Sequence, residues 1–309
     1  MRLLITGASG RIGRALAVRL ARGHQVCGLD RLPSSTAHWV GDLGDRALLQ
    51  RALQGVDAVV HTAALHAPQM GLADEAEFQR INVQASHTLA ELAVAAGVGQ
   101  LVYTSTTALY GDAATATDRA GWVDEDLPPQ PRNTYHRSKL AAEAALRGWA
   151  EAGAFGLTVL RMSRCFPETA PQMALARLHR GIDARDVAQA HALALARPQP
   201  GCRLFVLSGA TPFQPADLVA LKHDAPAVLR QRAPVLVAAF AQRGWALPAG
   251  IDRVVSPARA MQQLGWQPRH GFDEVLRQLD DESPEVLPPG FEVAQPADKR
   301  SAGLWAACA

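Results

Sequence analysis

Residues 2–13 constrain this chain more than any other stretch. The apolar run Leu3-Leu4-Ile5 reads as a short buried strand and passes directly into Gly7-Ala8-Ser9-Gly10-Arg11-Ile12-Gly13, where helical periodicity begins. Glycines at this spacing between a strand and a helix suit a loop that wraps a phosphate. Gly7 permits the tight turn, Gly10 lets the backbone approach a pyrophosphate, and Gly13 lets the helix lie close on the strand. The free N–H groups of the helix start attract the anion. Ser9, Arg11 and Ile12 complete the loop and are expected to touch the same ligand.

A dinucleotide needs a second anchor, and Asp30 at the end of the next predicted strand provides one. A carboxylate there accepts hydrogen bonds from both adenosine ribose hydroxyls and repels a 2′-phosphate, which favours NAD over NADP. Arg31, next to it, is the residue that would instead pair with such a phosphate. Asp42 and Leu43 follow a short third strand, and Thr62, Ala63 and Ala64 end the fourth. They put small or polar groups where adenine and ribose would lie.

Short apolar runs near 2–6, 25–30, 57–62, 100–105, 157–161 and 203–208 alternate with helical patterns near 12–22, 45–54, 75–97, 134–152 and 184–196. This order predicts an α/β protein with a doubly wound parallel sheet of the Rossmann type over residues 1–208. Segment 162–182 would lie on its substrate side. From 209 to 282 the pattern changes to helical pieces near 215–222, 225–243, 256–264 and 271–282, read as a small, mostly helical C-terminal substrate lobe. Pro284, Pro288, Pro289, Gly290 and Pro296 mark 283–309 as an irregular tail.

The chain has 309 residues, 48% of them hydrophobic, enough for a full core. With 31 basic against 29 acidic side chains and no basic cluster, nucleic acid is not an expected partner. Cys27, Cys165, Cys202 and Cys308 are far apart, which predicts reduced thiols and no metal site. No apolar run approaches membrane-spanning length, and the first residues enter a strand rather than a signal peptide. A cytoplasmic location is expected.

The chemistry is expected at Tyr135-His136-Arg137-Ser138-Lys139, at the start of a predicted helix. The phenol and ammonium are four residues apart and share a helix face. The chain has three tyrosines, and its lysines are Lys139, Lys222 and Lys299, so the pairing is not a product of abundance. A free phenol, with a pKa near 10, is a poor base; a nearby cation favours its ionised form. Tyr135 could then move a proton on and off a substrate hydroxyl while hydride moves to or from a nicotinamide. Upstream, the strand ending Thr104-Ser105-Thr106-Thr107 brings hydroxyls to the sheet edge where ligands sit in such folds.

The glycine loop, Asp30, His61-Thr62-Ala63-Ala64, Ser105-Thr106-Thr107-Ala108-Leu109-Tyr110-Gly111, Tyr-x-x-x-Lys, and Leu160-Arg161 through Pro167 follow one another in a familiar order. Over about residues 1–275 the chain resembles the extended short-chain dehydrogenases/reductases, which include sugar-nucleotide epimerases. The resemblance implies NAD as cofactor and a catalytic set of Thr106, Tyr135 and Lys139. It also implies cofactor contacts from Asn82 and Thr104 and a homodimer formed through the helices at 75–97 and 134–152. Asp186 matches a helix-start acid, and Leu264-Gly265-Trp266-Gln267-Pro268 matches a C-terminal signature.

Two departures bear on the substrate. Thr107-Ala108 stands where the dehydratases of this family place an acid, which argues against water elimination. Arg161-Met162-Ser163-Arg164-Cys165-Phe166-Pro167-Glu168 is closer to uronate dehydrogenases, although the arginine those enzymes use for a carboxylate falls at Met173. Arg164, Arg177 and Arg180 are candidate replacements, with Thr107 as a further substrate contact. The expected function is NAD-linked oxidation or reduction of a small, sugar-like molecule. The alternatives are a nucleotide-sugar epimerase and an NAD-binding regulator without turnover.

Overall fold

The computed structural model describes residues 1–291, so the end of the expected tail, with Cys308, lies outside the described residues. Seven parallel strands form the main sheet: β1 Arg2–Thr6, β2 Gln25–Asp30, β3 Trp39–Val40, β4 Ala58–His61, β5 Gln100–Thr106, β7 Gly156–Met162 and β8 Cys202–Leu207. Their order is β3-β2-β1-β4-β5-β7-β8. The chain winds outward from β1 to β3, then returns to lay β4 against the other side of β1. The crevice between β1 and β4 is therefore the switch point where such sheets bind ligands.

Alternate residues of each strand feed opposite cores. Leu3, Ile5, Val60, Val102 and Phe205 face α1 (Arg11–Leu20) and α7 (Ala184–Ala196). Leu4, Val59, Leu101 and Leu157 face α2 (Arg46–Ala52), α4 (Ala85–Ala95) and α5 (Thr134–Glu151). A sheet covered on both faces explains why its strands read as continuous apolar runs. The helix expected over 75–97 is present from Glu75 to Ala95 and widens in its middle. After α3 (Glu75–Phe78), a six-residue wide turn at Gln79–Gln84 precedes α4.

The C-terminal lobe is not a separate stretch of chain. Its core joins α6 (Ala170–His179), through Met173, Ala174 and Leu178, to Leu221 of α8 (Leu218–His223), Leu229 of α9 (Ala225–Arg232) and Phe240 of α10 (Pro234–Gln242). Short strand β6 (Gly121–Val123) leaves the first domain to pair in parallel with β9 (Arg253–Val255) in the lobe. Neither three-residue strand shows a pattern long enough to be read from sequence. Helix α11 (Phe272–Asp280) is followed by a docked segment in which Leu287 exchanges backbone hydrogen bonds with Glu168 and Ala170.

The two C-terminal matches noted in the sequence meet each other. The fully buried Trp266 donates its indole N–H to the Asp186 carbonyl at 2.9 Å. The Asp186 carboxylate accepts the backbone N–H groups of Arg269 and His270, each at 3.0 Å. Asp186 thus fastens the lobe to the start of α7.

Candidate active site

The crevice at the carboxyl ends of β1 and β4 is built by the glycine loop. Gly7 has φ +74°, and a Cβ there would lie 2.6 Å from Thr62 Oγ1; a Cβ on Gly13 would lie 2.0 Å from the Gly7 carbonyl oxygen. Both glycines are required by the chain itself. At Gly10 a Cβ would meet only that carbonyl, at 3.4 Å, so the fold makes no comparable demand. Glycine at an open position fits a backbone that a ligand approaches. Gly10 also begins α1 without a side-chain cap, and the helix's first N–H groups, at Arg11, Ile12 and Gly13, remain available to a pyrophosphate.

Asp30, at the end of β2, accepts the N–H groups of Ser9 and Leu32, both at 2.9 Å, on separate carboxylate oxygens. Each oxygen keeps a lone pair for a ribose hydroxyl. Ser9 Oγ donates to the Leu32 carbonyl, fixing the rim, and Arg31 is exposed beside it. Asp42 is held bidentately by Arg80, which keeps its carboxyl below the usual range, and Leu43 turns into the core. Thr62, Ala63 and Ala64 line the far wall, with the Thr62 hydroxyl donating to the Thr6 carbonyl at 2.7 Å. Loop, carboxylate and wall fit NAD.

Asn82 is anchored within the chain. Its amide exchanges hydrogen bonds with the backbone of Leu65 and donates to Ser138 Oγ. The wide turn at 79–84 carries this residue, and its amide pins the loop after Ala64 to α5. A direct cofactor contact was expected from the sequence; these bonds within the chain are what the structure provides.

Three consecutive residues of β5 are each fixed to α5. Thr104 O accepts a hydrogen bond from Lys139 Nζ at 2.8 Å, and Ser105 Oγ donates to Glu143 at 2.5 Å. The Thr106 hydroxyl meets Tyr135, which works against the burial that pushes that phenol up to about 12. Burial likewise pulls the Lys139 ammonium down to about 7, and the charge of Glu143 opposes it. The Lys139 nitrogen also sits 4.1 Å from the centre of the Tyr103 ring. The expected set of Thr106, Tyr135 and Lys139 is therefore assembled, with the ammonium held on the strand. Thr104 Oγ1 contacts His191, and Thr107 opens the turn that follows.

The candidate substrate arginines separate. Arg177 is buried against Asp183 at 3.2 Å; although burial opposes it, Arg185 and Arg177 hold that carboxyl down at about 2. Arg180 lies 3.5 Å from Asp252. Arg164 is half-exposed, forks onto Glu168 and lies over the Phe166 ring, whose edge meets His66. Met173 is buried in the lobe core, so no carboxylate contact arises there. The sequence reading missed Glu143, Arg161 and the pairing of Arg11 with Glu285, which ties the C-terminal segment to the glycine loop. The clue for the first two was charge at buried positions: Glu143 continues the spacing of Tyr135 and Lys139, and Arg161 interrupts an apolar strand.

Comparisons with known proteins agree with this geometry. A sequence model of the NAD dependent epimerase/dehydratase family matches residues 3–182. A UDP-glucose 4-epimerase from Corynebacterium glutamicum is 27% identical over 314 residues, covering 87% of this chain and 92% of its own. A dTDP-glucose 4,6-dehydratase from Mycolicibacterium smegmatis is 34% identical, over 48% of this chain and 49% of its own. A solved short-chain dehydrogenase/reductase superfamily protein from Agrobacterium tumefaciens, with NAD bound, superposes with TM-score 0.69 at 24% identity, covering 90% of this chain and 95% of its own. The chain belongs to the NAD dependent epimerase/dehydratase family, with NAD as its cofactor.

Proposed function

We propose that this protein is an NAD-dependent oxidoreductase acting on a hydroxyl or carbonyl group of a small, sugar-like substrate. The observation that supports it most is the meeting of Tyr135 and Thr106 at the open end of β5, with Lys139 held behind them. Bound NAD would supply the hydride acceptor and, when oxidised, a positive charge beside the phenol. Tyr135 Oη takes the proton from the substrate hydroxyl, and Thr106 Oγ holds the reacting oxygen. Lys139 contributes the positive charge that favours the phenolate and a donor for the nicotinamide ribose. Gly10 and the start of α1 hold the pyrophosphate, and Asp30 holds the adenosine ribose.

Substrate size is argued from segment 168–183. It holds the single helix α6, whose inner face is taken up by the lobe core, and Leu287 closes against its start. This leaves little chain to embrace a nucleotide. All three candidate arginines pair with acids, Arg177 with Asp183, Arg180 with Asp252 and Arg164 with Glu168; Arg164, half-exposed beside Phe166, is the one we assign to an anionic group, with Thr107 as a further polar contact.

A second reading, a nucleotide-sugar epimerase, is favoured by the near full-length likeness to the Corynebacterium glutamicum UDP-glucose 4-epimerase. Screening free sugars, sugar acids and nucleotide sugars with NAD separates the two. Net NADH formation from a free sugar or sugar acid supports the first; interconversion of a nucleotide sugar without net NADH supports the second. NAD binding with no turnover on any of them would point to a regulator. A homodimer through α4 and α5 is part of the proposal, and sedimentation tests it.

A further inference from the structure

Behind the proposed catalytic residues lies an ion pair that the mechanism does not use. Glu143 and Arg161 are 2% and 4% exposed. Arg161 donates to the two Glu143 oxygens through Nε at 3.0 Å and Nη2 at 2.7 Å, and its Nη1 donates to Tyr110 Oη at 3.0 Å. Ser105 completes the cluster through its bond to Glu143. Tyr110 ends the turn that begins at Thr107, so the pair grips the chain on both sides of Thr106. Along α5, Tyr135, Lys139 and Glu143 follow one another at four-residue spacing on one buried face.

A buried ion pair is an expensive way to hold a fold, because desolvation offsets most of its attraction and apolar side chains of similar volume usually serve as well. Its position suggests what it is for. We propose that Glu143 and Arg161 are positioning residues that keep Lys139 charged and Thr106 in register with Tyr135, with Glu143 as the counter-ion of Lys139 and Arg161 as the clamp that holds Glu143. The proposal rests on the catalytic reading above for its purpose, but its electrostatic part can be tested without turnover.

Among the described residues the groups facing Lys139 are few. From β5 come the Tyr103 ring and the Thr104 carbonyl, from β4 His61, and from the loop after it His66; from its own helix come Tyr135 and Glu143. Burial and the charge of Lys139 keep both histidines below their ordinary range, so they stay neutral and add no positive charge against the ammonium. Among the described residues, Glu143 is the group whose charge favours the ammonium. Arg161, on β7, meets the far side of Glu143.

The chain's three lysines make the test direct: lysine labelled with 13C at Cε gives three signals, and Lys139→Met identifies the buried one. The full-length protein is titrated as wild type, Glu143→Gln/Arg161→Met and Arg161→Met. The double variant removes both buried charges, and Lys139 should titrate about one unit lower, a tenfold loss of the charged form near neutral pH. Arg161→Met alone frees the Glu143 charge and should move Lys139 upward. Opposite shifts are the signature of the pair, since simple loosening would move both variants the same way. Should one variant fail to fold, Glu143→Asp, which withdraws the carboxylate while keeping its charge, takes its place and should show a smaller downward shift. A Lys139 titration unchanged in the folded variants overturns the proposal. Turnover by Tyr135→Phe close to wild type would instead refute the catalytic reading and leave the lysine result standing.

Discussion

Lys139 donates its ammonium to the carbonyl of Thr104 at 2.8 Å, two residues before the threonine that meets Tyr135. One side chain thereby links the helix bearing the proposed base to the strand bearing its partner. Lys139→Met should keep the ring of Tyr135 in place but remove this link and the positive charge. We expect a loss of about 10²–10⁴ in kcat, the usual contribution of a proton-transfer system, together with weaker NAD binding by calorimetry. Unchanged NAD affinity would show that the ammonium does not reach the cofactor.

Asp30 governs the second prediction. Its two oxygens are oriented by Ser9 and Leu32, leaving a fixed negative rim where a 2′-phosphate would stand. Asp30→Ala should narrow or reverse the preference for NAD over NADP, with exposed Arg31 then free to pair with the phosphate. Efficient use of both cofactors by the wild type in steady-state kinetics would mean that Arg31, not Asp30, decides.

The buried histidines set the response to acid. Burial holds His61 at about 3 and His179 and His191 at about 4, against 6.5 when exposed. The unfolded chain therefore takes up protons below about pH 6.5 that the folded chain refuses, so stability falls with pH until the folded values are reached. Each histidine should remove roughly 1.4 kcal/mol per pH unit through that window. Urea unfolding at pH 7 and pH 5 checks this; equal midpoints would mean that the rings are charged in the fold.

The parts of this protein legible in its sequence are those enforced by local rules. Gly7 and Gly13 cannot be replaced without a clash, the main-sheet strands are buried on both faces, and Tyr135 and Lys139 must share a helix face at four-residue spacing. What escaped depends on partners distant along the chain. β6 and β9 pair across more than a hundred residues and carry no periodicity of their own. The Arg177–Asp183 pair is close in sequence, but it is buried by the lobe and α7 packing around it, which the local sequence does not announce. The bonds of the Asn82 amide to Leu65 and Ser138 join residues 17 and 56 positions apart, which no local pattern announces.

The central claim is that Tyr135 moves the proton while the remainder of the site only binds and orients. Tyr135→Phe keeps the buried ring and removes one oxygen, so its effect on packing is small. The deciding measurement is single-turnover NADH formation by Tyr135→Phe on a substrate found for the wild type, with NAD affinity measured on the same preparation. The account predicts NAD binding within a few fold of wild type and hydride transfer slower by about 10²-fold or more. Hydride transfer near the wild-type rate with NAD bound would contradict it.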